Sequence, residues 1–168
     1  MIGNHRLARL VAATAVGTGL LLTAAGCGDG GDGTPAPPDP TPTGAAAATC
    51  RALLAALPGQ VDGQRRATAD ERTRYTEEWG DPAIRLRCGV PRPDVLTPGS
   101  EHYNPTADAV EVNGVSWLLE ERADGYRFTT TDREVYVEVT VPSAYHPEVN
   151  ALTDLAAPVR REVPVRKL

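Results

Sequence analysis

The chain has 168 residues, with 17 basic and 22 acidic side chains and a formal net charge of −5. This length suffices for one domain with a hydrophobic core and is too short for two ordinary domains. The acidic balance argues against nucleic-acid binding, because proteins that bind nucleic acids present basic surfaces. Hydrophobic residues at 41% and charged residues at 23% are typical of a globular protein.

Residues 1–26 have the pattern of a secretory signal, with the basic Arg6 and Arg9 followed by an uncharged stretch rich in Ala, Val and Leu. The stretch ends in LTAAGC, which resembles the lipobox of bacterial lipoproteins. In such proteins the peptidase cuts before the cysteine, which carries lipid on its sulfur. We therefore predict a lipoprotein signal peptide over 1–26 and lipidation, including palmitate, at Cys27. An uncleaved anchor and plain secretion are the alternatives.

Residues 28–44 are rich in Gly and then in Pro and contain no large apolar side chain. Such a stretch cannot form a core, so we predict a lipidated cysteine and tether over 27–44 and a single extracytoplasmic domain over 45–168. Cleavage would leave 15 basic against 22 acidic side chains. Because this surface would be repelled by anionic lipids, we expect the acyl chains alone to hold the protein at the extracytoplasmic face of the cell membrane.

The two remaining cysteines, Cys50 and Cys88, predict a disulfide bond, since an exported chain meets an oxidising environment. A metal site with His102 or His146 is the alternative, but the chain lacks close-spaced pairs of ligands. A redox pair would need Cys-x-x-Cys, which is also missing. We therefore expect no metal and no cofactor.

Hydrophobic periodicity predicts an α+β domain. A helix is expected over Ala45–Leu57, because its apolar positions recur at helical spacing. Residues 59–78 are polar, with one short helix expected around Ala69–Glu78. The alternation in Ile84–Cys88 predicts a half-buried strand. The apolar helix positions are Cys50, Leu53, Leu54 and Leu57.

Three turn signals predict an antiparallel meander. They are Asn113-Gly114, Asp124-Gly125 and Asp132-Arg133. As two-residue turns they would pair Val110 with Trp117, Val112 with Val115, Leu119 with Thr130, Tyr126 with Val139, Phe128 with Val137 and Thr130 with Val135. One face would then be apolar, and the other would carry polar side chains, with Arg127 opposite Glu138.

A second helix is expected to cover the apolar face, starting at His146-Pro147-Glu148. Its apolar positions are Val149, Leu152, Leu155, Ala156 and Val159. Pro158 should kink or end this helix near Ala157. The expected architecture is an antiparallel meander of about four to five strands with one face covered by an N-terminal and a C-terminal helix.

Three segments carry a resemblance to a known family: WGDPAIRLRCGVPRP (79–93), VNGVSWLLE (112–120) and RFTTTDREVYVEVTVP (127–142). With the lipobox and TCRALLAALP, they resemble the actinobacterial lipoproteins of domain-of-unknown-function family 3515. The resemblance implies an exported, disulfide-bonded lipoprotein domain in the cell envelope. It implies no activity and no catalytic residue.

Catalytic signals are sparse. His102 and His146 lack a serine in a nucleophile-elbow pattern. Adjacent carboxylates at Glu77-Glu78 and Glu120-Glu121 point in different directions and make poor acid–base pairs. Glu121 falls on the apolar face opposite Phe128, where we expect it at the sheet end in water; a buried, paired carboxylate is the alternative.

The densest local cluster contains Trp79, Asp81, Arg85 and Arg87. It could form a binding patch, because an aromatic ring and guanidinium groups together suit sugars or carboxylates. Alternatively, Gly80-Asp81-Pro82 is a turn, Trp79 caps the core, and the two arginines line a solvated face.

These observations favour a monomeric, non-enzymatic domain, tethered to the membrane, that binds an envelope protein or a cell-wall component. A small envelope-acting hydrolase or transferase, with a site assembled from distant residues, is the alternative. A solute-capturing lipoprotein is disfavoured, because one small domain lacks a two-lobed cleft.

Overall fold

The computed structural model describes residues 37–68 and 74–167. The predicted signal peptide, Cys27 and the first part of the tether lie outside them. The helices are α1 (Gly44–Ala56) and α2 (Asn150–Glu162), and the strands are β1 (Gln60–Val61), β2 (Gln64–Arg65), β3 (Thr76–Trp79), β4 (Ile84–Val90), β5 (Ala109–Val112), β6 (Val115–Arg122), β7 (Gly125–Thr130) and β8 (Tyr136–Pro142). The predicted α+β class is confirmed.

The main sheet has six antiparallel strands in the order β3-β4-β8-β7-β6-β5, somewhat more than the four or five expected. Strands β5 to β8 form the predicted meander, and β8 returns beside β4. The long connection over 91–108 therefore leads from β4 to β5 at the far edge of the sheet. Strands β1 and β2 form a separate hairpin at Asp62-Gly63, where both residues have positive φ, as a tight Asp-Gly turn requires.

Both helices pack on one face of the sheet, which is the predicted apolar face. Trp117, Phe128 and Val137 are at most 1% exposed there. The Cys50–Cys88 disulfide joins α1 to β4, with the two Cα atoms 5.5 Å apart, so this predicted bond is confirmed. The first helix is thus held on the sheet both by its apolar side chains and by a covalent link.

The second helix differs from its prediction at both ends. It begins at Asn150 rather than at Pro147, and it continues through Pro158 to Glu162 instead of ending near Ala157. A proline removes a single backbone hydrogen bond, whereas Leu155, Pro158 and Val159 are all buried in the core. Packing of the apolar positions outweighs the lost bond. Among the described residues, no helix is long and apolar enough to cross a membrane.

The first predicted hairpin is confirmed, whereas the registers of the next two were wrong by two residues. Val112 lies opposite Val115, and Asn113 and Gly114 have φ values of 50° and 81°. In the second hairpin Gly125 is a strand residue that pairs with Arg122, so Ala123 and Asp124 form the turn. Because a shift of two residues preserves the side of each side chain, the predicted faces survive.

The shifted registers are Trp117 with Thr130, Leu119 with Phe128, Tyr126 with Val141 and Phe128 with Val139. The third loop is longer than two residues because Arg133 turns inward, where it is 2% exposed. Its guanidinium donates to the carbonyl oxygens of Val163 and Gly114. Arg127 consequently lies opposite Thr140 rather than Glu138.

The predicted short helix around Ala69–Glu78 is also wrong where the structure describes it. Thr76–Trp79 forms β3, an edge strand paired with β4. Residues 69–73 lie outside the described part of the chain. Tyr75 and Trp79 are buried in the core, so the segment reaches the sheet as a strand with large apolar side chains.

Candidate functional site

The face of the sheet away from the helices carries two rows of side chains across the strands, and all of them except Leu118 are polar or charged. The first row runs through Leu118, Thr129, Glu138, Arg87 and Thr76. The second runs through Glu120, Arg127, Thr140, Arg85 and Glu78. We call this surface the outer face. Its register places arginines beside glutamates on neighbouring strands.

The central ion pair of the outer face joins Arg87 and Glu138. Arg87 Nη1 donates to Glu138 Oε1 at 2.9 Å, and the two side chains are only 12% and 11% exposed. Arg87 Nη2 donates to the carbonyl oxygen of Pro38 at 2.6 Å. The Nε of Arg87 is buried and has no hydrogen-bond partner among the described residues. A buried donor without a partner is uncommon in folded proteins.

A second ion pair lies one row away. Arg127 Nε and Nη2 donate to the two carboxylate oxygens of Glu120 at 2.9 and 2.7 Å, a bidentate arrangement. These hydrogen bonds, aided by the charges of Glu120 and Glu138, raise the pKa of Arg127, although burial acts in the opposite direction. Arg85 similarly donates to Glu78 at 2.6 Å, but this pair is more exposed.

The N-terminal residues of the described chain help to cover the outer face. The hydroxyl of Thr76 donates to Asp39 at 2.7 Å, and Pro40 is buried. Packing on the sheet therefore starts several residues before Ala45, the predicted start of the domain. Proline-rich sequence without large apolar side chains gave no sign of this, because the contacts use backbone and carboxylate oxygens.

The long connection over 91–108 contributes residues 91–95 and His102 to an open cleft of about 410 Å³ against the outer face. We call this space the polar cleft. The connection holds its shape through backbone hydrogen bonds, including Asn104 N to Val95 O at 2.9 Å. The cleft is lined by Arg87, Val90, Pro91, Arg92, Pro93, Asp94, Val95, His102, Glu120, Arg127, Thr129 and Glu138.

The cleft offers both donors and acceptors, but among the described residues that line it no hydroxyl is hydrogen-bonded to a base. Guanidinium groups, carboxylates and the Thr129 hydroxyl together suit a ligand that is neutral and polar or zwitterionic. No phenylalanine, tyrosine or tryptophan is among the described residues that line it. In the part of the chain that the structure describes, no group of three or more His, Cys, Asp or Glu side chains could hold a metal ion.

A second, apolar groove of about 300 Å³ lies on the helix side of the sheet. It is lined by Val110, Leu119, Tyr126, Phe128, His146, Pro147, Glu148 and Val149. His146 Nδ1 lies 3.0 Å from Glu148 Oε2. Such a contact can fix the imidazole tautomer, but none of the described lining residues is a serine, threonine or cysteine that the imidazole could activate. Glu121, near this end of the sheet, is exposed, as we expected.

The comparison with protein families matches the family described as "Protein of unknown function (DUF3515)" over residues 10–168. The chain belongs to this family. The comparisons with curated proteins and with solved structures match nothing. Family membership agrees with the resemblance found in the sequence, and it assigns no activity to either the polar cleft or the apolar groove.

The structure does not bring together the four residues of the predicted binding patch. Trp79 is completely buried on the helix side of the sheet, where its Nε1 donates to the Pro58 carbonyl oxygen at 3.1 Å. Asp81 is exposed in the β3–β4 turn, and Arg85 pairs with Glu78. Only Arg87 lines the polar cleft. The second interpretation placed Arg87 on a solvated face. This was wrong, because Pro38 and the long connection cover its side chain.

Several residues of the cleft were not recognised from the sequence. Glu120, Arg127 and Glu138 were placed on a polar face, but nothing indicated that Arg87 would join them. That contact depends on β8 returning beside β4, and the two residues are 51 positions apart. Arg92, Asp94 and His102 lie in a connection with no periodicity. The sequence did offer one signal for this site. Each of three predicted strands carries a charged residue near its middle, namely Glu120, Arg127 and Glu138.

Proposed function

We propose that this chain is an exported, lipid-anchored protein whose polar cleft binds a neutral or zwitterionic component of the cell envelope. The observation that most strongly supports ligand binding is the buried Arg87–Glu138 ion pair in the wall of the cleft. Burying two charges is costly, and apolar side chains of similar size often stabilise a fold as well or better. A cavity lined by such a pair is therefore best explained by recognition of a polar ligand.

The charge of the cleft favours that ligand class. Arg87, Arg92 and Arg127 are matched in number by Asp94, Glu120 and Glu138, so the lining has no large excess of either sign. A strongly anionic ligand would meet three carboxylates and a strongly cationic one three guanidinium groups.

The proposed location outside the cytoplasm is supported by the lipobox-like ending at Cys27 and by the Cys50–Cys88 disulfide. Disulfides persist chiefly in exported proteins, because the cytosol keeps thiols reduced. A tether over the residues between Cys27 and Pro37 would let the domain reach components near the membrane surface.

Site-specific crosslinking in intact cells tests this proposal. A photoreactive amino acid replaces Arg92, an exposed residue of the cleft lining, and a control variant carries it at Ala157, exposed on α2 on the other side of the sheet. We expect an adduct from position 92 that is absent from position 157. The same adduct from both positions, or none from position 92, would overturn the proposal.

A further inference from the structure

Residues 38–42, which we call the docked segment, belong to the predicted tether and lie against the outer face of the sheet. The Pro38 carbonyl oxygen accepts a hydrogen bond from Arg87 Nη2 at 2.6 Å. Asp39 Oδ1 accepts a second one from the Thr76 hydroxyl at 2.7 Å. Two neighbouring residues of a proline-rich stretch are therefore held on β4 and β3.

The sheet has a notch where the last proline of the docked segment lies. Gly89 is the extra residue of a β-bulge between Cys88 and Val90, and its φ is 87°. A Cβ atom at Gly89 would lie 2.7 Å from the ring of Pro42. Gly99 has the same φ of 87°, but nothing lies within 4 Å of the corresponding position. The missing side chain at Gly89 therefore serves the contact with Pro42 as well as the backbone angle.

The docked segment also fixes the orientation of a residue of the polar cleft. In Arg87, Nη1 donates to Glu138 and Nη2 donates to Pro38, so each terminal nitrogen has its own partner. Because the guanidinium group is a rigid plane, two partners determine its orientation, whereas one hydrogen bond would let it turn. Arg87 lines the polar cleft. The position of the docked segment therefore affects the wall of the cleft.

We propose that the docked segment is part of the ligand-binding site, with Pro38 as a positioning residue for Arg87, so that ligand affinity depends on docking. This proposal rests on the proposed function, because the cleft must bind a ligand for its affinity to change. By thermodynamic linkage, a ligand that requires the observed orientation of Arg87 also stabilises the docked segment. Displacement of the tether from the sheet would in turn lower the affinity for the ligand.

The crosslink from position 92 in intact cells measures this dependence. Gly89→Ala places a methyl group where the Pro42 ring lies, so the segment should undock and most of the adduct should be lost. Gly99→Ala adds the same methyl group at the same φ without a collision, so it should keep the adduct. Melting transitions show that both variants are folded. An adduct that persists unchanged in folded Gly89→Ala would overturn the proposal.

A compensating change distinguishes loss of docking from local damage to β4. Gly89→Ala combined with Pro42→Gly removes the ring that the methyl group would meet, so the segment can dock again and the adduct should return. An adduct that stays absent in the folded double variant would contradict the proposal, because the bulge itself and not the docked segment would then be responsible.

A second variant keeps the proposal falsifiable if Gly89→Ala fails to fold. Asp39→Ala removes the acceptor of the Thr76 hydroxyl without changing β4, so it should weaken docking and reduce the adduct. Asp81→Ala, the same change at an exposed residue of the β3–β4 turn, should leave the adduct unchanged. Equal adduct yields from these two variants would overturn the proposal.

The unmodified protein separates this proposal from the proposed function. If it gives no specific adduct from position 92, the cleft binds no ligand there, and the dependence of binding on docking is wrong as well. If it gives the adduct and neither Gly89→Ala nor Asp39→Ala diminishes it, the cleft binds a ligand and only the role of the docked segment is refuted.

Discussion

Arg87 and Glu138 lie 51 positions apart in the chain, yet their side chains meet at 2.9 Å on adjacent strands. Both are almost nine-tenths buried, between the sheet and the segments that cover its outer face. The pair therefore connects three parts of the molecule: the β4–β8 strand pair, the N-terminal residues around Pro38, and the wall of the polar cleft.

Removing one member of this pair should be costly. We expect Arg87→Ala to lower the free energy of unfolding by roughly 3 kcal/mol, because Glu138 would stay buried without its cation. Arg85→Ala should cost less than about 1 kcal/mol, since its pair with Glu78 is more exposed. Denaturant unfolding of the two variants checks this difference. Equal losses of unfolding free energy in the two variants would contradict the expectation that the buried ion pair matters more for stability than the exposed one.

Replacing both members of the pair should recover much of the loss. The double variant Arg87→Met with Glu138→Leu removes both buried charges and keeps comparable volume, so its stability should approach that of the unmodified protein. If the double variant is less stable than Arg87→Ala, the ion pair has a net stabilising role that apolar packing cannot replace.

Gly125 provides a test of the observed register. Its φ of 147° and the close approach of the β8 backbone at Val141 leave no room for a Cβ atom. We expect Gly125→Ala to cost roughly 1–3 kcal/mol, whereas Gly59→Ala, with open space around it, should have little effect. A harmless Gly125→Ala would contradict the close packing of Gly125 against the β8 backbone.

The disulfide should contribute substantially to stability. The Cys50–Cys88 bond closes a loop with a sequence separation of 38, and the chain-entropy model assigns such a bond roughly 4 kcal/mol. Reduction should therefore lower the melting temperature and add the mass of two hydrogens. Two thiols that react freely with an alkylating reagent in the native protein would contradict the bond.

The lipidation prediction is tested at Cys27, which lies outside the described residues. Cys27→Ala should release the protein from the membrane fraction or leave an uncleaved precursor, because alanine has no sulfur atom to which lipid can be attached. Cell fractionation and intact-mass measurement distinguish these products from the lipidated form. A processed Cys27→Ala protein that still requires detergent would refute the prediction.

Much of the fold could be predicted because its signals are local. Asn113-Gly114 specifies a hairpin by itself, and the alternation around Trp117 and Phe128 separates the two faces whatever the register. The registers beyond Gly125 failed because a glycine can be a turn residue or a crowded strand residue, and only the neighbouring backbone decides between them.

The site was much less predictable than the fold. Trp79 and Arg87 are close in sequence, but alternation along β3 and β4 sends them to opposite faces of the sheet. The residues that do meet Arg87 come from β8 and from a connection without periodic sequence. Their meeting is set by strand order and loop path, which depend on contacts between distant residues.

If the charged wall of the polar cleft recognises a ligand, the crosslink from position 92 should depend on Arg87 and Glu138, and two double variants measure this dependence. Arg87→Met with Glu138→Leu alters the cleft wall, and Arg85→Met with Glu78→Leu makes the same change outside the cleft lining. With both proteins shown to be folded by their melting transitions, we predict that the first loses the adduct and the second keeps it. An adduct that persists unchanged in the first variant would mean that the Arg87–Glu138 pair takes no part in ligand recognition.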